Sequence, residues 1–332
     1  MSFRLICVGD IMLGENVHHF HRGIVRKYRN NYPSLISDEV KRQLSSADLL
    51  LMNFEASLAE DDALQKMGID RAVYVAPLQS LDLLDTINTQ VIVNIANNHF
   101  GQHGQQSALY SIGQLESRGI LVTGRNNRPL EISNKSQVIK IFGVSLVKDK
   151  HYEGAYFKSS YETLLTDLQL IPKSENEIWI ISIHWGEEYL TLENKKQQIL
   201  ARELAGAGFD YIIGHHPHVV QPYARIGKTA VFYSHGNFIF DQNFSGLTQK
   251  GLVSQINLHN GETELFISRQ RKFTLTEMKP VTTDELTLFT KASFHKKQPL
   301  LMRIKMKLEL FLRFYELNFS IMRTFALKRI KK

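Results

Sequence analysis

The chain reads as an α/β protein, and three observations carry that reading. Over roughly the first 240 residues, apolar runs of strand length alternate with amphipathic runs of helix length, the rhythm of βαβ units around a largely parallel sheet. Helical runs stop where a glycine follows: Gly119 after Arg118, and Gly208 after Ala207. Glycine takes the left-handed conformation that closes a helix at little cost. Farther on, Asn260-Gly261 separates two extended runs, a hairpin signal that makes the later part of the sheet antiparallel.

Taken in order, the strand runs are Phe3–Val8, Asp48–Phe54, Thr89–Ala96, Ile120–Thr123, Val138–Val144, Ile178–His184, Phe209–Gly214 and Thr229–Ser234. Each is a short apolar stretch bounded by polar or turn-forming residues. Helices are expected between them at Pro33–Ser46, Leu78–Ile87, Gln105–Arg118, Tyr161–Leu170 and Glu193–Ala207. Gly251–Leu258 and Thr263–Lys272 form the hairpin. From Pro299, Leu301, Ile304, Leu308, Phe311, Tyr315, Met322 and Phe325 keep a heptad-like spacing with basic residues interleaved, which reads as one long amphipathic helix. The expected organisation is a domain over residues 1–280 and a basic helical tail over 281–332.

Composition narrows the classes. The chain has 332 residues, enough for one large core plus an appendage. Its single cysteine, Cys7, lies inside the first apolar run, so no disulfide framework exists and the thiol reads as a small core residue. No basic-then-apolar leader precedes the first strand, and no run of about 18 uncharged apolar residues occurs; the expected location is cytoplasmic. The net charge of +7 is unevenly placed: from Lys291 onward, 12 basic residues face only Glu309 and Glu316, leaving residues 1–290 at −3. The tail therefore packs on the body, lies on an anionic membrane surface, or binds nucleic acid. No recognition module accompanies it, which argues against nucleic acid. Basic residues at headgroups with Phe311, Phe314, Phe319 and Phe325 at the acyl boundary favour the membrane, or a membrane-bound polymer synthase, at its inner face.

Residues able to ligate metals recur where the strand runs end. Asp10 ends the first, Asn53 and Glu55 the second, Asn97, Asn98 and His99 the third. His184 and Glu187 follow a later one. His215, His216 and His218 crowd the turn after Phe209–Gly214, and His235 and Asn237 close the series. In a parallel sheet such ends share one edge, where distant residues converge. Mixed oxygen and nitrogen donors without thiolate suit Mn, Fe, Zn or Mg. Singly, each has a plainer reading: Asp10 as a turn cap, Asn97 and Asn98 as turn formers, His184 as a core histidine, Glu187 and Glu188 as surface charge. The cluster His18-His19-Phe20-His21 reads as a solvated loop or helix start.

The strings GDIMLGENV, NFEASL, NIANNH, HWGEEY, GFDYIIGHHPHVVQP and VFYSHGNFIFD, in that order over roughly residues 3–245, resemble the CapA family of bacterial capsule and poly-γ-glutamate synthesis proteins, relatives of the calcineurin-like metallophosphoesterases. The resemblance implies two packed mixed sheets flanked by helices, a four-layer αββα sandwich. It implies two divalent metal ions and a phosphate-ester substrate. Asp10 and His218 would ligate the first metal, Asn98, His184 and His216 the second, and Glu55 would bridge them. His99 would face the phosphate and its leaving group as the catalytic residue. Asn53, Glu187, His215 and Asn237 would orient the ligands from behind. Met12 stands where calcineurin-like enzymes carry a histidine, Gln102 where the CapA pattern tends to have Asp, and His235 where it often has an apolar residue. The alternative function is a non-catalytic assembly or scaffold subunit of a membrane-associated polymer synthesis or export complex, which the missing histidine at position 12 favours.

Overall fold

Period-two alternation along the apolar runs decides the architecture. In the computed structural model, which describes residues 3–16, 23–66, 73–134, 136–282 and residues 308 and 311, the strands follow one another as predicted, with several short additions. In chain order they are β1 (Arg4–Ile11), β2 (Leu49–Phe54), β3 (Ser57–Ala59), β4 (Val75–Pro77), β5 (Gln90–Asn94), β6 (Leu121–Thr123), β7 (Leu130–Ser133) and β8 (Val138–Ser145). They continue as β9 (Glu177–His184), β10 (Tyr211–His215), β11 (Tyr223–Ile226), β12 (Thr229–Phe232), β13 (Asn237–Ile239), β14 (Lys250–Asn257), β15 (Thr263–Arg271) and β16 (Thr274–Pro280). One sheet has the order β16-β15-β14-β1-β2-β5-β6, with β13 also paired to β1; the other has the order β11-β12-β10-β9-β8-β7. Within the first, β1, β2, β5 and β6 run parallel, and the hairpin β14-β15 is antiparallel as predicted.

One face of every central strand looks into the space between the sheets. Leu5 and Cys7 of β1, Leu49 and Leu51 of β2, and Ile92 of β5 pack there against Ile139 and Ile141 of β8, Ile178 and Ile180 of β9, and Ile213 of β10. The alternate residues face outward. Ile6, Val8, Leu50 and Met52 pack under Val40 and Leu44 of helix Asp38–Leu44 and under Ile112 and Leu115 of helix Gln105–Ser117. On the other sheet Val144, Trp179, Ile181 and Ile212 lie under Leu200, Ala201 and Leu204 of helix Lys195–Gly206. The result is the four-layer αββα sandwich. Each fully buried Leu or Ile contributes about 1.5–3 kcal/mol.

Some elements differ from expectation. The helix expected over Pro33–Ser46 divides into a 3₁₀ turn, Tyr32–Leu35, and helix Asp38–Leu44. Ile36 between them is extended and bridges Leu275, and Ser37 restarts the helix by accepting the Val40 N–H. Strands β7 and β11 are only partly buried edges of the second sheet, so their apolar signal was weak. The His18–His21 cluster lies outside the described residues, as does the tail from residue 283 on apart from Leu308 and Phe311, which are helical and exposed.

One crossing fixes the sheets to each other. The chain leaves the second sheet at β12 and enters the first at β13. On the way the His235 N–H donates to Gly214 O at 3.0 Å, and the Asp10 N–H donates to Gly236 O at 2.9 Å. Gly9 is required for this approach, since a Cβ there would lie 1.9 Å from Gly236 O.

Candidate metal centre

The inward-facing register does not stay apolar. Along β2 it runs Leu49, Leu51, then Asn53; along β9 Ile178, Ile180, then Ser182 and His184; along β10 Tyr211, Ile213, then His215. All of these polar residues are fully buried. The sequence reading placed the ligand-type residues on one sheet edge. The structure divides them between two: Asp10, Asn53, Glu55, Asn98 and Asn237 come from the first sheet, and His184, His215, His216 and His218 from the second.

Asp10 and Glu55 are the buried acids of the site. Asp10 Oδ1 accepts from Asn53 Nδ2 at 2.9 Å and faces His215 Nδ1 at 3.3 Å. Its Oδ2 accepts the backbone N–H of His216 at 3.3 Å and lies 3.2 Å from His218 Nδ1. Burial raises the Asp10 carboxyl, but His215 and His218 outweigh it and hold the group well below the usual carboxylate range. Glu55 Oε2 accepts from Asn53 Nδ2 at 3.2 Å. Its Oε1 is buried without a hydrogen-bond partner and sits 3.7 Å from His218 Nε2, 3.7 Å from His99 Nε2 and 4.0 Å from His184 Nε2. Burial pushes Glu55 well up; Asp10 and Glu188 add to this against the pull of His218.

The histidines divide by environment. His184 Nε2 pairs with Asn98 Oδ1 at 2.9 Å, and its ring centroid is 4.7 Å from that of His216. Burial, with the charge of His218, lowers His216 to about 3. His218 Nδ1 pairs with Asn237 Oδ1 at 2.9 Å. Burial lowers this histidine, but Glu55 and Asp10 overcome it and raise it to about 10. His216 (φ +94°) and His218 (φ +57°) both take left-handed backbone conformations, strain of roughly 1–3 kcal/mol each that concentrates at functional sites. His215 stays behind them, its ring 6.2 Å from that of His235.

His99 stands at the mouth. Its Nδ1 donates to Gln102 Oε1 at 2.9 Å, and its Nε2 accepts from Asn98 Nδ2 at 3.1 Å. Burial lowers it to about 4, so it is neutral at physiological pH. Tyr74 stacks on it at 3.5 Å between ring centroids. Asn97, next to these residues, is structural: its Oδ1 accepts the backbone N–H groups of His99 and Phe100. Glu187 is exposed, and its charge adds to burial in raising the Tyr161 hydroxyl. Met12 turns its sulfur to the Gly14 N–H at 3.1 Å and packs into the outer apolar layer.

The donor set fits divalent metal. The orphaned Glu55 Oε1 and His216 Nδ1 are buried acceptor positions with nothing to receive, a cost that a cation removes. Donor atoms of Asp10, Glu55 and His184 lie within 4.8 Å of one another, as do those of Glu188, His216 and His218. In the sequence Glu188 has only the pattern of surface charge, and Tyr74 has no signal in its own neighbourhood.

The family model described as bacterial capsule synthesis protein PGA_cap matches residues 4–242. The capsule biosynthesis protein CapA of Bacillus anthracis is 26% identical over 269 residues, covering 76% of this chain and 64% of that protein. The PGA biosynthesis protein CapA of Bacillus subtilis strain 168 is 29% identical over 266 residues, 76% of this chain and 67% of that protein. The chain thus spans about two thirds of the length of these relatives. The crystal structure of TT1561 of Thermus thermophilus superimposes with a TM-score of 0.48 at 9% identity, over 82% of this chain and 100% of the other. Among the described residues, no helix is long and apolar enough to cross a membrane.

Proposed function

Because the chain belongs to the bacterial capsule synthesis protein PGA_cap family, we propose that it acts in capsule or exopolymer synthesis as a metal-dependent phosphoesterase that hydrolyses a phosphate ester with water. The observation that supports this most is the convergence of Asp10, Glu55, Asn98, His184, His216 and His218 from two sheets onto one buried space. Two divalent cations held by those residues would polarise a phosphoryl oxygen and acidify an attacking water.

The protein's own groups do the rest. Asn53 holds both carboxylates through one amide nitrogen, fixing their separation before any ligand arrives. Asn237 fixes the His218 ring, and partners of this kind are commonly worth 10–100-fold in metal affinity. Neutral His99 presents Nε2 at the mouth with its other nitrogen anchored by Gln102. An anionic phosphate bound in front of it offsets burial, letting His99 take a proton from solvent at the mouth and give it to the leaving oxygen. Tyr74 keeps the ring in plane.

Elemental analysis of the native protein, then assay with Mn against bis-p-nitrophenyl phosphate, tests the reading. Absence of metal together with no turnover under any divalent ion would sink it. Met12, turned away from the centre, favours a second reading, a non-catalytic assembly subunit of a polymer synthesis complex. His99→Ala separates the two. The enzyme reading expects turnover to fall about 10²–10⁴-fold with metal retained; the assembly reading expects an unchanged polymer phenotype. The basic tail is proposed to hold the protein on an anionic membrane surface at the cytoplasmic face. Liposome flotation should be lost on deleting residues 296–332.

A further inference from the structure

The loop after β9 is tied to the histidine turn on both sides of a three-residue segment. The Trp185 N–H donates to His215 O at 3.1 Å, and the Tyr189 N–H donates to Pro217 O at 2.8 Å. Between these anchors the chain reverses at Gly186 (φ +84°) and Tyr189 (φ +60°). A side chain at Gly186 would collide with the Gln197 amide at 2.9 Å, so the loop has little freedom to move elsewhere. Gly186, Glu187 and Glu188 are carried between the anchors, and of the two acids Glu188 is the one beside the histidines. Its carboxylate lies within 4.8 Å of donor nitrogens of His216 and His218, although the side chain is reached from solvent. An ordinary surface carboxylate has no reason to be held over two buried imidazoles by paired backbone bonds. The Met12 sulfur accepts from the Gly14 N–H and offers the centre nothing.

We infer that Glu188 is a metal ligand, supplied from the loop after β9 at the solvent side of the centre, and that it joins His216 and His218 around one cation. The inference rests on the metal-centre reading above. One carboxylate and two imidazoles make a nitrogen-rich set, which suits Zn²⁺ or Mn²⁺ better than Mg²⁺. The other side, with Asp10, Glu55 and His184, is richer in oxygen. The two positions should therefore differ in metal preference, and the one open to solvent should exchange its ion first.

Titration of metal-stripped full-length protein with Mn²⁺, followed by electron paramagnetic resonance, tests this without relying on turnover. Glu188→Gln should weaken one of two Mn²⁺ sites by at least about tenfold, leaving the other and the thermal melt of the metal-free protein unchanged. Glu262→Gln, exposed beyond the turn after β14, should titrate as the parent does. Glu188→His should keep binding but move the affected site toward Zn²⁺. Glu188→Gln binding two Mn²⁺ with parental affinity would overturn the inference while leaving the metal centre standing. A parent chain that binds no Mn²⁺ would overturn both.

Discussion

The space between the two sheets has two ends built on the same strands and the same face. At one end Leu51, Ile180 and Ile213 form a dry core. One step farther along each strand, Asn53, Ser182 and His215 take the same inward direction and are just as buried. The core end is stable because its atoms need no partner. The polar end holds only while each group finds one, and Glu55 Oε1 and His216 Nδ1 find none within the protein. Burial alone therefore does not distinguish a core from a site; unfinished hydrogen bonding inside burial does.

That contrast can be broken most severely at its charged centre. Glu55→Ala should remove Mn²⁺ binding and lower turnover by about 10³-fold or more, the scale of several kcal/mol of charge stabilisation; calorimetry and a phosphodiesterase assay measure both. Two neighbouring inward positions on β2 sharpen it. Leu51→Ala should cost about 2–5 kcal/mol in denaturant unfolding with Mn²⁺ affinity unchanged. Asn53→Ala should instead weaken Mn²⁺ binding about 10–100-fold, because it releases Asp10 and Glu55 together. If both substitutions move the same quantity, the two ends are not distinct.

Acid should act on the polar end alone. Burial holds His99 at about 4, and His216 and His235 at about 3, below the ordinary value near 6.5 expected in the unfolded chain. The stability they give is complete above that value and drains as pH falls toward theirs, each contributing a slope of about 1.4 kcal/mol per pH unit. His218, raised to about 10, acts the other way: its stability is complete below about 6.5 and is lost as pH climbs through its folded value. Melts of the metal-free protein should therefore peak near neutrality. The smallest effect isolates one group. His235 meets Ser254 at 2.9 Å behind the centre, and His235→Leu should remove one histidine's share of the acid slope while Mn²⁺ affinity stays the same.

The polar end was legible because the residue type changes abruptly where an apolar run stops. Asp10, Glu55, His184, His216 and His218 each announced themselves that way, and their order supplied the rest. The division between two sheets was not legible, since β2 and β9 read alike whichever sheet they join; only pairing partners separate them. Glu188 was hidden because its meaning comes from backbone bonds to His215 and Pro217 rather than from its neighbours in sequence. Tyr74 reaches His99 through the parallel pair β3-β4 and a left-handed backbone at φ +59°, neither of which leaves a compositional trace. The split of the helix after Pro33 was missed for a similar reason: Ile36 is drawn out by Leu275, a residue far along the chain.

The hydrogen bond from the His216 backbone to Asp10 joins residues 206 positions apart. No short fragment can hold both, and the crossing at His235-Gly236 must be in place before the two sheets face each other. Contacts this distant carry a loop-closure cost that must be met before the centre exists. A cation that binds there recognises only the finished chain and pulls the equilibrium toward it. Metal supply would then govern how long the newly made protein survives proteolysis, as well as what it does once folded.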